Sequence, residues 1–219
     1  MAIGTYAELK AAIGTWLARS GDASITAKAP DFITLLESRL NRWQPALRVA
    51  EVDTTLTGTP GSRFIALPSD FLEPISLHRT TGGDIYEPMR AFIPGTEALD
   101  TDAGIPMAWG IDGTNVVLGC PEETADTFTF RYRQKFSLGP DDDDTNWLLT
   151  QHPDAYLFGS LVEAAAFMKT AGQAQLWNQR FIEAMDEVTT QEARSKSIAP
   201  LRVDSALITP RPFNIYGGY

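Results

Sequence analysis

Few side chains in this sequence belong to the types that carry metal or nucleophilic chemistry. The chain of 219 residues contains two histidines, His78 and His152, and one cysteine, Cys120. Structural zinc sites take four ligands, drawn mainly from Cys and His. A lone cysteine also cannot form an intramolecular disulfide. We therefore expect no metal site and no cofactor, and we assign structural roles to both histidines.

The patterns of hydrolases and nucleotide-binding proteins are missing as well. Ser160 follows Gly159 within an apolar segment, and no Gly-x-Ser-x-Gly elbow surrounds it. Gly58 and Gly61 have neither dinucleotide-fold spacing nor a following Gly-Lys-Ser/Thr. We predict a non-enzymatic protein without catalytic residues. One enzymatic alternative stays open, a glycoside hydrolase that uses two of the 28 acidic residues as a carboxylate pair.

Residues 141–144 form a run of four aspartates, the most conspicuous charge cluster of the chain. Carboxylates bind divalent cations, but a calcium loop spaces its ligands along about twelve residues around a central glycine. The contiguous run therefore predicts a solvated loop before Trp147. Whether this loop binds a cation stays open at this point.

The overall charge argues against a nucleic-acid-binding protein. Eighteen basic and 28 acidic side chains give a formal net charge of −10, whereas a phosphate-binding surface is predominantly basic. The sequence shows no signal peptide, and its longest apolar stretch, residues 155–168, contains Glu163. That stretch is shorter than the roughly 20 residues of a membrane-spanning helix. We expect a soluble protein made in the cytoplasm, with no membrane partner.

Two amphipathic helices are predicted in the N-terminal region, residues 1–48. In the first, Thr5 and Glu8 have the spacing of a capping box, and Pro30 is expected to open the second. Three charged residues of the second helix lie mostly off its apolar stripe and are expected on a solvated outer face: Glu37, Arg39 and Arg42. The apolar positions at helical spacing are Tyr6, Leu9, Ile13 and Trp16, then Phe32, Leu36, Leu40 and Trp43.

Residues 49–136 change to short β-prone runs separated by Gly and Pro. An Asp112-Gly113 pair between apolar runs predicts a hairpin with Trp109 and Val117 on its paired strands. A weaker pattern at residues 94–99 suggests a short helix. The predicted strands cover residues 51–57, 63–67, 75–80, 116–118 and 127–132.

Helical periodicity returns in residues 137–194, after the acidic loop. One helix follows Asp154 and is apolar on several sides; another follows Gly172. The two are expected to pack antiparallel across a short connection. The fold class is therefore α+β, an antiparallel helical bundle with a β-rich insertion and an extended C-terminal tail. The apolar stripes of these helices are Leu157, Leu161, Ala165 and Met168, then Trp177, Phe181, Met185 and Val188.

The predicted tail, residues 195–219, differs in character from the rest of the chain. Its prolines break helices, and its three basic residues outnumber its one acid, Asp204. Disordered segments usually lack aromatic residues, so the apolar end favours burial against another chain. The alternatives are a tail folded back over its own subunit and a disordered end. The candidate docking residues are Pro210, Arg211, Pro212, Phe213, Ile215, Tyr216 and Tyr219.

Four blocks of the sequence occur in a recognisable order: residues 30–42 (PDFITLLESRLNR), 67–73 (LPSDFLE), 105–121 (IPMAWGIDGTNVVLGCP), and 146–149 (NWLL) with 152–161 (HPDAYLFGSL) and 163–165 (EAA). The third and fourth blocks are a proline-led hairpin and the start of a long central helix. In this order the blocks resemble the head-to-tail adaptor, or head-completion, proteins of tailed bacteriophages. The resemblance extends over residues 30–188.

The resemblance implies a structural protein of the virion, located in the neck between head and tail and present in the host cytoplasm during assembly. Copies would form a ring, commonly of twelve subunits, that closes the DNA-filled head, receives the tail and lets DNA pass during ejection. The implied partners are the portal protein, neighbouring copies, and tail or stopper (nozzle) proteins, with the C-terminal segment reaching into the portal. Two alternatives stay open: a different neck component, such as a stopper or tail-completion protein, and a phage-associated cell-wall hydrolase that uses a carboxylate pair.

Overall fold

A computed structural model describes residues 3–47, 50–81, 84–139 and 141–196 of the chain. These residues contain both helices and sheets, so the predicted α+β class is confirmed. The helices are α1 (Tyr6–Trp16), α2 (Ala23–Leu40), α3 (Trp147–Gln151), α4 (Pro153–Phe167) and α5 (Ala171–Lys196). The strands are β1 (Glu51–Thr57), β2 (Phe64–Ala66), β3 (Phe71–Thr81), β4 (Asp84–Pro88), β5 (Arg90–Ala91), β6 (Ala108–Asp112), β7 (Asn115–Leu118) and β8 (Thr127–Gln134).

Helix α1 begins as its sequence predicts. The Thr5 side chain accepts a hydrogen bond from the Glu8 backbone amide at 3.3 Å, and the Glu8 carboxylate accepts one from the Thr5 amide at 3.2 Å. This reciprocal capping box satisfies two amides that a helix start leaves without partners. The predicted apolar face is buried up to Ile13, but Trp16 at the end of the helix is half exposed.

Helix α2 begins seven residues earlier than predicted, with Asp22 as its N-cap and Pro30 inside it. The Asp22 carboxylate accepts a hydrogen bond from the Ser24 amide at 2.9 Å. Proline inside a helix leaves the carbonyl four residues earlier without its usual partner. That carbonyl belongs to Thr26, which is exposed to solvent, so water can replace the missing donor. The prediction that Pro30 opens this helix is wrong.

The strands form two sheets, in the orders β1-β8-β3-β4 and β2-β7-β6-β5. Within the described ranges, the paired strands are antiparallel except for β5 and β6, which are parallel. The predicted hairpin joins β6 to β7, where Asp112 pairs with Asn115 and Gly113 takes the positive φ of 58° that the turn requires. The prediction of a helix at residues 94–99 is wrong. Pro94 and Gly95 form a turn instead, closed by a hydrogen bond from the Thr96 amide to the Ile93 carbonyl.

The helices that follow the strands differ from prediction at their ends. A short helix, α3, precedes α4, and the Asn146 side chain caps it by accepting a hydrogen bond from the Leu149 amide at 2.9 Å. Gly172 lies in the first turn of α5 rather than before it. Helix α5 also includes Ser195 and Lys196, the first two residues of the predicted tail. None of the helices in the described ranges is long and apolar enough to cross a membrane.

Buried apolar side chains form two clusters, one from helices and one from strands. In the first cluster, α4 contributes residues on several sides, as its apolar sequence predicts, and α5 packs along it. The second cluster combines residues of both sheets, so the sheets share one core. The largest side chains that are fully buried in the first cluster are Tyr156 and Phe181, and those in the second are Phe128 and Phe130.

Candidate interaction surfaces

The predicted docking residues of the tail, from Pro210 to Tyr219, lie outside the described residues. Their assignment therefore stays a prediction. Candidate functional groups within the described residues fall into three kinds: the acidic loop, buried titratable groups, and exposed apolar side chains.

The acidic loop lies against the start of α1. The carbonyls of Asp142 and Asp144 accept hydrogen bonds from the amides of Ala7 and Tyr6 at 3.0 and 2.9 Å, and the Lys10 ammonium lies 2.6 Å from the Asp142 carboxylate. Negative groups stabilise a helix N-terminus. The run therefore has a structural role that its composition did not reveal. Among the residues described, no group of three or more His, Cys, Asp or Glu side chains could hold a metal ion.

The nucleophilic side chains considered from the sequence are inaccessible. Ser160 is fully buried in α4, and Cys120 is buried two residues after the end of β7. Burial raises the pKa of the Cys120 thiol, with a smaller contribution from Asp100, so the reactive thiolate is disfavoured. His78 lies 3.2 Å from the Ser76 hydroxyl within β3. The positions of these groups do not form a nucleophilic site.

Glu37 of α2 is buried, which contradicts its predicted place on a solvated outer face. Its Oε1 atom accepts hydrogen bonds from the Leu138 amide at 2.6 Å and the Tyr156 hydroxyl at 3.3 Å. The side-chain Nδ2 of Asn146 donates to the same hydroxyl at 2.6 Å. Burial raises the pKa of Glu37 to about 7, although both hydrogen bonds act in the opposite direction. Burial also raises the pKa of Tyr156, which therefore stays a donor.

Polar residues at the end of α2 contact the segment between β8 and α3 and also helix α5. The Asn41 side chain donates to the Phe136 carbonyl at 3.2 Å and accepts from the Phe136 amide at 2.7 Å. Arg39 lies over the Phe181 ring at 4.6 Å and donates to Asn178 at 2.7 Å. Of the three predicted outer-face residues, only Arg42 is exposed. The polar side of α2 therefore holds this connecting segment and α5.

Two further acids, Glu122 and Asp126, are buried close to the start of β8. Asp126 accepts a hydrogen bond from Arg79 at 2.7 Å. Both Glu122 carboxylate oxygens are buried without a hydrogen-bond partner. A carboxylate pair of a glycosidase must reach a sugar polymer in an open cleft. This pair is enclosed by its own chain, so it does not support the hydrolase alternative.

Three exposed apolar side chains lie on the loop between β5 and β6 in the β part. A cavity of about 230 Å³ at this loop is lined in part by Ile105, Met107 and Cys120. Arg90 and Glu97, also in the lining, form two hydrogen bonds of 2.7 and 2.6 Å. We call this region the β patch, defined by three exposed side chains: Ile93 (71% exposed), Ile105 (56%) and Met107 (76%).

A second apolar surface lies on the helices. The half-exposed Trp16 ring contacts the rings of Phe158 and Trp177 edge-on at 5.8 and 5.7 Å, and these two rings stack on each other at 5.9 Å. The Trp177 indole nitrogen is buried without a hydrogen-bond partner. We call these three residues the helix patch. Aromatic side chains in such half-covered clusters are enriched at protein interfaces.

The comparison with known families agrees with the resemblance seen in the sequence. The sequence model of the SU10 adaptor protein family matches residues 4–204, which is most of the chain. The protein therefore belongs to the SU10 adaptor protein family, a family of phage adaptor proteins. A search of curated proteins gives no significant match. The family identifies a structural protein of a bacteriophage that interacts with other phage proteins.

Proposed function

We propose that this protein is a head-to-tail adaptor whose copies form a ring, commonly of twelve subunits, beneath the portal of a tailed phage. The ring closes the DNA-filled head, provides the attachment site for the tail and serves as a conduit for DNA in the virion neck. The family match over residues 4–204 supports an adaptor role. The observation that carries the assembly role is the pair of exposed apolar surfaces, the β patch and the helix patch.

Under this proposal the chain is a helical bundle with a β-rich insertion. Residues 1–48 and 137–194 form the helical body, residues 49–136 the insertion and residues 195–219 the tail. The two separate hydrophobic clusters support this division, since the first draws its members from the helices and their connections and the second from the strands. The tail begins within the last residues of α5, so the division at 195 is approximate.

The two patches are suited to the contacts of a ring. Closed cyclic symmetry repeats one heterologous contact, so each subunit presents two different and complementary faces. Phe158 and Trp177 of the helix patch pack against the helical cluster, whereas the β patch lies on the loop between β5 and β6. Exposed side chains such as Met107 and Trp16 contact solvent in the single chain. Neighbouring copies, the portal and tail or stopper (nozzle) proteins are the partners that would cover them.

The C-terminal segment is proposed to dock on the portal. Extended segments gain affinity by placing separate side chains into pockets of a partner. The chain has 23 residues beyond Lys196, which can span at most about 80 Å when extended. The anchors are the aromatic and proline residues already identified: Pro210, Arg211, Pro212, Phe213, Ile215, Tyr216 and Tyr219.

The charge of the chain supports loose contact with passing DNA. At a formal net charge of −10, an acidic subunit repeated around a channel repels phosphates rather than binding them. DNA can then move through the ring without being retained. Acidic side chains facing the channel are part of this proposal, and their replacement by lysine should slow DNA ejection.

The proposal can be tested by electron microscopy of the full chain mixed with purified portal. We expect an additional ring coaxial with the portal. A double substitution in the β patch, Ile105→Asp with Met107→Asp, should reduce ring formation at least tenfold. The matched control adds the same charges at exposed threonines of the β part, Thr101→Asp with Thr114→Asp, and should assemble normally. If the chain binds an assembled adaptor but not the portal, it is instead a stopper or tail-completion protein.

A further inference from the structure

The two sheets of the β part are joined at a junction where four chain segments meet. The Glu122 carbonyl accepts a hydrogen bond from the Gly61 amide at 2.8 Å, and the Glu122 amide donates to the Ser62 carbonyl at 3.1 Å. The Gly104 amide donates to the Pro121 carbonyl at 2.9 Å. The Gly58 amide, directly after β1, donates to the Asp126 carbonyl at 2.9 Å. These bonds link the end of β1, the approach to β2, the loop before β6 and the approach to β8.

The side chain of Glu122 lies inside this junction. The residue is 1% exposed, and neither carboxylate oxygen has a hydrogen-bond partner among the described residues. The carboxylate packs directly on Gly58, because a Cβ atom added at that glycine would overlap it. A charged carboxylate in such a position loses its hydration and regains only part of that stabilisation from the Asp126 backbone and Arg79, whereas a neutral carboxyl group costs much less to bury.

The surrounding charges do not compensate for a negative Glu122. Asp126, which carries the like charge, approaches from the start of β8. Arg79 of β3 is the facing positive group, but its Nε already donates to Asp126. The Cys120 thiol lies near the junction on the β7 side. Glu122 therefore faces one ion pair that is already formed and one neutral thiol.

We propose that Glu122 is a proton-dependent latch: its neutral carboxyl group keeps the junction between the two sheets closed, and loss of the proton favours opening. Burial raises the pKa of Glu122 to about 7, and the charge of Asp126 raises it further, while the Asp126 backbone and Arg79 act in the opposite direction. In the open junction the carboxyl group is hydrated and has an ordinary pKa near 4.5. Because the closed state holds the proton more tightly, opening becomes easier as the pH rises from 4.5 to 7 and then levels off.

Hydrogen exchange of the intact chain measures this opening. The reporters are the junction amides of Gly58, Gly61, Gly104 and Glu122, and their protection factors are corrected for the intrinsic pH dependence of exchange. Between pH 5 and pH 8 the wild-type protection factors should fall about 100-fold, with most of the fall below pH 7. Cys120 is the single cysteine and can be labelled with a thiol reagent. Its labelling rate, divided by the rate in the unfolded chain, should rise over the pH range in which junction protection falls.

Glu122→Gln keeps the shape of the side chain but removes its proton equilibrium. Its protection factors should vary no more than about twofold over the same pH range, since the latch cannot lose a proton. Glu123→Gln is the control, because it removes the same charge from the exposed neighbouring residue and should follow the wild type. If the protection factors of Glu122→Gln fall with pH as much as those of the wild type, the latch proposal is overturned.

A second measurement on the wild type does not depend on the variant folding. The side-chain carboxyl carbon of Glu122, followed by NMR, should titrate near pH 7 in the folded protein, over the range in which junction protection is lost. Titration near pH 4.5, or constant protection across this range, overturns the proposal.

Discussion

Glu37 provides a quantitative prediction about the helical core. Raising its pKa from 4.5 to about 7 corresponds to about 3 kcal/mol of differential interaction between its protonated and charged forms. The folded protein holds this proton up to pH 7, whereas the unfolded chain releases it near pH 4.5. Because the folded state binds more protons in this window, the free energy of unfolding should fall as the pH rises from 4.5 to 7 and stay lower above pH 7.

The substitution Glu37→Gln isolates this effect. Glutamine keeps a carbonyl oxygen that can accept from the Leu138 amide and the Tyr156 hydroxyl, the two donors that contact Glu37. It cannot lose a proton. The free energy of unfolding of the variant, relative to the wild type, should therefore rise by about 3 kcal/mol between pH 4.5 and pH 8.

Urea unfolding, followed by tryptophan fluorescence at half-unit pH steps, measures this difference. Trp43, Trp147 and Trp177 pack on the helical core and report its unfolding. Asp31→Asn on the exposed side of α2 is the control. The free energy of unfolding of this variant should depend on pH in the same way as that of the wild type. Parallel curves for Glu37→Gln and the wild type would refute the assignment of a raised pKa to Glu37.

Three further predictions concern packing, the connecting segment and the tail. Gly58→Ala places a methyl group where the Glu122 carboxyl group lies and should lower the free energy of unfolding by about 1–3 kcal/mol. Gly61→Ala is the comparison: space at Gly61 is open but its φ is positive, so this variant measures backbone strain without overpacking. Asn41→Ala removes both hydrogen bonds to Phe136 and should lower the free energy of unfolding, measured in urea, by about 1–3 kcal/mol. An unchanged urea midpoint would show that these bonds do not hold the connecting segment. Deletion of residues 210–219 should leave the unfolding midpoint unchanged and weaken portal binding at least tenfold by surface plasmon resonance; equal affinities would exclude docking by the tail.

Local sequence signals predicted the elements that depend on neighbouring residues. Thr5 and Glu8 form their capping box, Asp112 and Gly113 form the hairpin turn, and β1 has the predicted bounds. Each of these features involves hydrogen bonds between residues a few positions apart. The sequence pattern therefore contains most of the information that specifies them.

Long-range contacts explain the predictions that were wrong. Pro30 indicated a helix start, but apolar residues on both sides of it, Ala29 and Phe32, are buried in the helical core, and packing outweighs the loss of one hydrogen bond. Glu37 lies off the apolar stripe, yet its partner amide is 101 positions away at Leu138. No periodicity within α2 identifies a partner at that distance.

The two buried acids should contribute separately to the pH dependence of stability. Glu37 belongs to the helical part and Glu122 to the junction of the sheets, and they share no hydrogen-bond partner among the described contacts. Effects at sites without shared partners are usually additive. Combining Glu37→Gln with Glu122→Gln should therefore remove both contributions, whereas Glu37→Gln alone should leave the pH dependence of junction exchange intact. If Glu37→Gln also flattens the exchange at Gly58 and Gly104, the helical core and the sheet junction open together, and the latch does not act on the β part alone.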